Sequence, residues 1–244
     1  MSTDPHFLGL TGARRLRTSY WLLGRRAILD CSRMRGIASV TGPPGTGKSF
    51  LLATVAPEIE GRVVRIEFDH RPTMLSTTTQ SLMKLTGEPG RGSKHDKIPQ
   101  LIEALSQPTT LLVDEAQRLN RECLDHLRYL HDHPDTNFGL VLAGGEGCWE
   151  VLGSEPQLRR RIYRPVFFRP LSLEEIITFL PRFHPIWRSA TPDVIERLNS
   201  AFGYGLLGHW AAITKTLIDS FGPRAQLDDD VEATVLILLG APSH

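Results

Sequence analysis

The stretch "SVTGPPGTGKSF", Ser39 to Phe50, decides how the rest of the chain is read. It has the spacing G-x-x-x-x-G-K-[ST], with Gly42, Gly47, Lys48 and Ser49 in the fixed places. Gly42, Gly45 and Gly47 let the backbone wrap tightly and turn its N–H groups inward on an anion. The candidate nucleotide-binding segment is therefore Gly42, Pro43, Pro44, Gly45, Thr46, Gly47, Lys48, Ser49 and Phe50. In that arrangement Lys48 reaches the outer phosphates and the Ser49 hydroxyl ligates Mg²⁺. Ile37, Ala38 and Val40 before the loop suit a buried strand. Phe50 to Val55 after it suits a helix whose N-terminus faces the anion.

A phosphate cradle alone binds; hydrolysis also needs a metal-holding carboxylate and a group that positions water. "TTLLVDEAQ", Thr109 to Gln117, supplies candidates. Thr110 to Val113 reads as an apolar strand with Asp114 and Glu115 at its C-terminal end, the ligand edge of an open α/β sheet. Asp114 is expected to hold Mg²⁺ through water, and Glu115 to orient or deprotonate the attacking water.

Further strands are expected at Arg62–Phe68, Gly139–Ala143 and Pro165–Arg169, with helical patterns between them. Over Arg121–His131, Cys123, Leu124, Leu127 and Leu130 share one face. Alternating strands and helices predict an α/β fold with a parallel sheet flanked by helices. From Ser172 onward the strand signal stops. Ser172 and Glu175 have capping-box spacing, and helices are expected at 192–202, 208–221 and 228–239, so a small all-helical domain follows the sheet.

The 244 residues, 41% of them hydrophobic, can bury a sizeable core in one or two domains. The net charge of +1 hides an asymmetry. Residues 1–65 carry ten Lys/Arg against four Asp/Glu, and residues 171–244 carry five against nine. Such polarity suits an anionic partner near one end, or head-to-tail packing of subunits, as well as an unevenly charged solvated surface. Cys31, Cys123 and Cys148 are odd in number and lack metal spacing, which predicts a reduced, cytoplasmic chain. No apolar run is long enough to span a bilayer, and no membrane partner is expected. Gly87 to Lys97 has the composition of a flexible loop. Trp187 and Trp210 are expected to anchor the core of the helical domain. In "DHLRYLHDHPD", Asp125–Asp135, the histidines read as surface or capping groups rather than metal ligands.

"GPPGTGKS", "LLVDEAQRL", "LRYLHD" followed by a strand and "AGG", and then "LRRRIYRPVFFRPLSLEE" together resemble the AAA+ ATPases, a branch of the ASCE P-loop NTPases. Within them the chain is similar to the TniB/TnsC/MuB transposition regulators, with secretion-associated ATPases of the ExeA type as relatives. The similarity runs roughly from Thr18 to Ser220. It implies an N-terminal helical segment at 1–35, a P-loop ATPase core at 36–170 and a helical lid at 171–244, with ATP and Mg²⁺ as cofactors. It also implies an arginine finger reaching a neighbouring subunit's γ-phosphate. Arg159, Arg160 and Arg161 are its candidates, and Arg161 fits the pattern best. Two positions depart from the family. Gly145 stands where a polar sensor residue is usual, and Gly208 where a lid arginine is usual, which puts efficient hydrolysis in doubt.

The resemblance further implies assembly along double-stranded DNA, as a ring or a helical filament, together with a transposase and a target-selection protein. The candidate DNA contacts are His70, Arg71, Arg91, Lys94, Lys97, Arg118 and Arg121. Their chemistry suits phosphate rather than base readout. Two alternatives stay open: an ATPase of signalling or secretion type acting on protein partners, and an ATP-binding scaffold that scarcely hydrolyses.

Overall fold

A computed structural model describes residues 9–240 apart from 69, 224 and 228. The chain divides into two compact units. One comprises Ser19–Pro43 with Lys48–Phe168; the other takes the described residues up to Thr18, the loop tip Pro44–Gly47, and the chain from Arg169 on.

The first unit is built on five strands: β1 (Ile37–Thr41), β2 (Arg62–Glu67), β3 (Thr109–Asp114), β4 (Phe138–Gly144) and β5 (Ile162–Phe167). Their order is β2-β3-β4-β1-β5, and every neighbouring pair is parallel. The three central strands are buried at every residue, which is why they read as continuous apolar runs rather than alternating ones. The edge strands carry exposed or half-buried polar residues: Arg62, Arg65 and Glu67 on β2, and Tyr163 and Arg164 on β5.

Side-chain alternation along the strands feeds two apolar layers. On one face, Ile66, Leu111, Val113, Leu140 and Leu142 pack against residues of α3 (Met74–Thr86), α4 (Lys94–Ala104) and α5 (Arg121–Asp132). On the other, Ala38, Val40, Leu112, Val141 and Ala143 pack against Ala27, Ile28 and Cys31 of α1 (Ser19–Met34) and Leu51, Leu52 and Val55 of α2 (Lys48–Val55). Two short helices, α6 (Cys148–Gly153) and α7 (Pro156–Arg161), lead from β4 into β5.

Three sequence expectations shift. The last strand starts at Ile162, three residues before the predicted Pro165. Tyr163, Arg164 and Pro165 are exposed there, so no apolar run marks the strand, and proline is tolerated because the strand is an edge. The helix after the glycine-rich loop begins at Lys48 rather than Phe50. The supposedly flexible 87–97 stretch is tied down: Gly87 closes α3 in the left-handed conformation, and Ser93 and Asp96 form a capping box for α4. Lys94 and Lys97 are therefore helical, and Lys97 Nζ donates to Thr79 Oγ1 and to the Pro89 carbonyl, both at 3.0 Å.

The second unit is helical from Leu173 onward: α8 (Leu173–Phe183), α9 (Pro192–Leu198), α10 (Leu207–Phe221) and α11 (Asp229–Leu238). The expected capping box opens α8, with Ser172 N donating to Glu175 Oε2 and Glu175 N to Ser172 Oγ. Trp187 and Trp210 are buried edge-to-face, with centroids 5.2 Å apart, and Trp187 Nε1 donates to Thr214 Oγ1 at 2.9 Å. The predicted last helix included Asp228, which lies outside the described residues. Among the described residues no helix is long and apolar enough to cross a membrane.

Candidate nucleotide site

Because all five strands are parallel, the C-terminal ends of β1, β3 and β4 fall on one edge of the sheet. That edge brings together the start of the glycine-rich loop after Thr41, the Asp114–Glu115 pair and the Gly144–Gly145 turn. Gly42 leaves β1 at φ 147°, and a Cβ there would stand 2.2 Å from the Phe168 carbonyl oxygen. Only glycine permits that approach, so the loop's entry path is fixed by the chain after β5.

Lys48 opens α2 and is only 8% exposed. Its ammonium donates to the Pro43 carbonyl of its own loop at 2.7 Å. Burial lowers its pKa, and the Glu115 and Asp114 carboxylates pull it back up. A charge held this way is stabilised by any anion that enters the loop.

Asp114 is 2% exposed and lies on the α2 side of the sheet, the side of Leu112. Both its oxygens are engaged. Oδ1 accepts from the Glu115 N–H at 3.0 Å, and Oδ2 accepts from Arg65 Nη2 at 2.5 Å. Arg65 sits on β2, where it is in register with Leu112, so it reaches Asp114 diagonally along one face.

Glu115 adopts the left-handed conformation (φ 57°, ψ 36°), unusual for a residue with a Cβ. Such strain persists where the surroundings over-determine it, and it concentrates at working sites. Here Gln117 Nε2 donates to Glu115 Oε2 at 2.5 Å, while Gln117 Oε1 accepts from the Gly145 N–H at 2.7 Å. Arg118 Nε lies 3.7 Å from the same Glu115 oxygen, and Arg118 Nη1 donates to the Phe68 carbonyl at 2.5 Å. The carboxylate is thus clamped by one amide and one guanidinium.

Residues 32–152 match the family described as AAA domain. The ORC2 protein of Aeropyrum pernix, in ADPNP–ADP complexes, superposes with a TM-score of 0.69 at 17% identity, covering 98% of this chain and 72% of that one. The fold is that of an AAA+ P-loop NTPase. Other solved structures share the fold. Cdc6p of Pyrobaculum aerophilum has a TM-score of 0.63 at 21% identity, over 97% of this chain and 64% of that one. The RuvB Holliday junction branch migration motor of Thermotoga maritima has 0.59 at 16%, over 92% and 70%. At these identities the likeness is one of fold. Among curated proteins, none matches the sequence.

Gly42–Phe50 form the loop and the start of α2; Asp114 ends β3 and Glu115 follows it. The oxygen donors proposed for Mg²⁺, the Ser49 hydroxyl and the Asp114 carboxylate, are of the hard type that cation takes. Arg161 makes an ion pair with Asp132, and Arg159 lies 4.4 Å over the Trp149 ring. Of the DNA candidates, Lys97, Arg118 and Arg121 are engaged inside the unit, Arg121 with Glu155 at 3.6 Å. The side chains of His70, Arg71 and Arg91 are exposed and carry no ion pair among the described residues. Gly208, in the second unit, donates its N–H to the Gly45 carbonyl at 3.0 Å, and a Cβ on it would stand 3.3 Å from Gly45 Cα. Close backbone approach therefore occupies the place the family resemblance gives to an arginine. His209 packs on Phe202 and bonds its carbonyl through Nδ1 at 2.7 Å.

Sequence reasoning gave no role to Gln117 or Arg65. Gln117 is visible in the DEAQ run but has no signal of its own. Arg65 had one: it is the charge that interrupts the apolar run Val63–Ile66.

Proposed function

We propose that this chain binds and hydrolyses ATP at the glycine-rich loop, and that ATP-bound subunits assemble head-to-tail on duplex DNA to regulate transposition. The observation that carries the catalytic part is the Asp114–Glu115 pair at the same sheet edge as Lys48. In this reading the loop N–H groups and Lys48 bind the phosphates. Ser49 and Asp114 hold Mg²⁺, which when bound neutralises charge on the phosphate oxygens. Glu115 orients the water, and Gln117 orients Glu115 by spanning to the Gly145 backbone.

For assembly, a finger supplied in trans makes a heterologous interface, which closes into a ring or continues as a filament. Arg161 and Arg159 both have partners within their own chain. Arg160 has none among the described residues and replaces Arg161 as first choice for the finger. Among the seven DNA-phosphate candidates, His70, Arg71 and Arg91 are exposed and carry no ion pair among the described residues. The transposition assignment, the transposase and the target-selection protein rest on the sequence resemblance to the TniB/TnsC/MuB group. The DNA-related names of the ORC2, Cdc6p and RuvB structures are in keeping with a DNA-bound role.

Two observations favour slow turnover. Glu115 is paired with Arg118, and both sensor places hold glycine. A nucleotide-loaded scaffold that waits for a partner fits that arrangement better than a fast motor.

The test is a polarisation titration of labelled duplex DNA at several salt concentrations, with and without ATP. The reading expects ATP-dependent binding, little sequence preference and a steep loss of affinity with salt. Absent or salt-insensitive binding with ATP present would instead support a protein-directed ATPase.

A further inference from the structure

The one buried acid proposed to hold the metal already has a cation. Arg65 Nη2 lies 2.5 Å from Asp114 Oδ2, and the second oxygen of Asp114 is taken by the Glu115 N–H. Each Asp114 oxygen thus already accepts from one donor, one of them a full positive charge. Arg65 is itself half-held: its Nε is buried without a hydrogen-bond partner, and Glu67, its other acidic neighbour, is 3.9 Å from Nη2. The guanidinium is thus committed to Asp114 by a single fork tip and gains little from the rest of its surroundings.

We propose that Arg65 is an internal counter-ion that competes with Mg²⁺ for Asp114, so that nucleotide enters this site with little dependence on the metal. The inference rests on the ATP-site reading and goes beyond it. The physical reason is electrostatic. A carboxylate that is 2% exposed is costly unless paired, and Arg65 supplies that pairing when no metal is bound. A divalent cation brought to the same carboxylate meets the positive charge of Arg65, and the two compete for one buried acid, although the guanidinium itself is 34% exposed. Either the guanidinium swings toward Glu67, on its own strand, or the metal is held weakly. Both outcomes lower the apparent affinity for Mg²⁺ without removing the phosphate contacts of Lys48 and the loop. Arg65 is therefore a positioning residue that sets the metal requirement, not a group that touches substrate.

The experiment measures binding of a fluorescent ATP analogue to the full chain in EDTA and across a MgCl₂ titration, for wild type, Arg65→Gln and Arg65→Lys. Wild type is expected to bind in EDTA and to gain less than about threefold from Mg²⁺. Arg65→Gln is expected to reach half-saturation at about tenfold lower Mg²⁺, and Arg65→Lys, which keeps the charge, to stay near wild type. Thermal melts of the same samples guard against misfolding. Arg65→Gln should melt lower than wild type in EDTA, because Asp114 is left unpaired, and should recover when Mg²⁺ and nucleotide are added. A purely structural arginine would give a loss that metal does not repair, and that result would overturn the proposal. An unchanged Mg²⁺ midpoint in Arg65→Gln would overturn it too, while leaving the ATP site standing. Failure of wild type to bind nucleotide in either condition would remove the ATP-site reading and the inference together.

Discussion

Gln117 Oε1 accepts a 2.7 Å hydrogen bond from the Gly145 N–H, while the other end of the same amide donates to Glu115. The bridge links the turn after β4 to the carboxylate after β3 through one side chain. A polar side chain at position 145 is therefore not needed to connect those two strands. Gln117→Ala should leave nucleotide affinity within about twofold and lower turnover by about 10–100-fold, because a base held by fewer contacts is less well oriented. Gln117→Glu should be worse than alanine, since it sets a second carboxylate against Glu115. Parallel binding and steady-state turnover assays check both.

Lys48→Ala should lose nucleotide binding by at least about 100-fold. The ammonium is buried and its pKa is lowered by burial, so its environment favours gaining an anionic partner. Isothermal titration with ATP reads the outcome.

Gly42→Ala should destabilise the fold by on the order of 3 kcal/mol, through a clash with backbone that cannot rotate away and a left-handed φ. Denaturant unfolding reads this directly. Gly36, where a Cβ would meet nothing within 4 Å, is the control position, and Gly36→Ala should cost far less.

Of the three buried thiols, Cys31 and Cys148 have pKa values pushed up to about 12 by burial. Both should stay unreactive toward a thiol reagent until the protein unfolds. The sign of the pH effect follows from linkage. The folded thiols hold their protons above the ordinary value of 9.0 while the unfolded ones release theirs. Stability is thus complete below pH 9 and falls as pH rises from about 9 toward 12, by at most about 1.4 kcal/mol per pH unit for each thiol. Urea unfolding at pH 8, 9 and 10 tests it, with Cys31→Ala and Cys148→Ala flattening the decline.

The parallel sheet was readable because β1, β3 and β4 are buried on both faces and so spell continuous apolar runs. The loop was readable because close backbone approach to an anion demands glycine at fixed spacing. Edge strand β5 starts at Ile162, and the exposed Tyr163, Arg164 and Pro165 that follow break any apolar run that would mark it. The side-chain network was not readable. Arg65 reaches Asp114 across 49 residues, and Gln117 reaches Gly145 across 28; both contacts depend on strand order, which no local pattern encodes. Nor does the sequence show that Arg118, a DNA-phosphate candidate, lies beside Glu115 and donates to the Phe68 carbonyl.

The central claim is that Glu115 acts on water at an ATP site built by Lys48 and Asp114. The most direct measurement is ATP affinity and single-turnover hydrolysis on the same samples of wild type and Glu115→Gln. The account predicts that Glu115→Gln binds ATP at least as well as wild type and hydrolyses it at least about 100-fold more slowly, since losing the carboxylate removes the group that orients the water. Hydrolysis by Glu115→Gln at the wild-type rate, with binding intact, would contradict it.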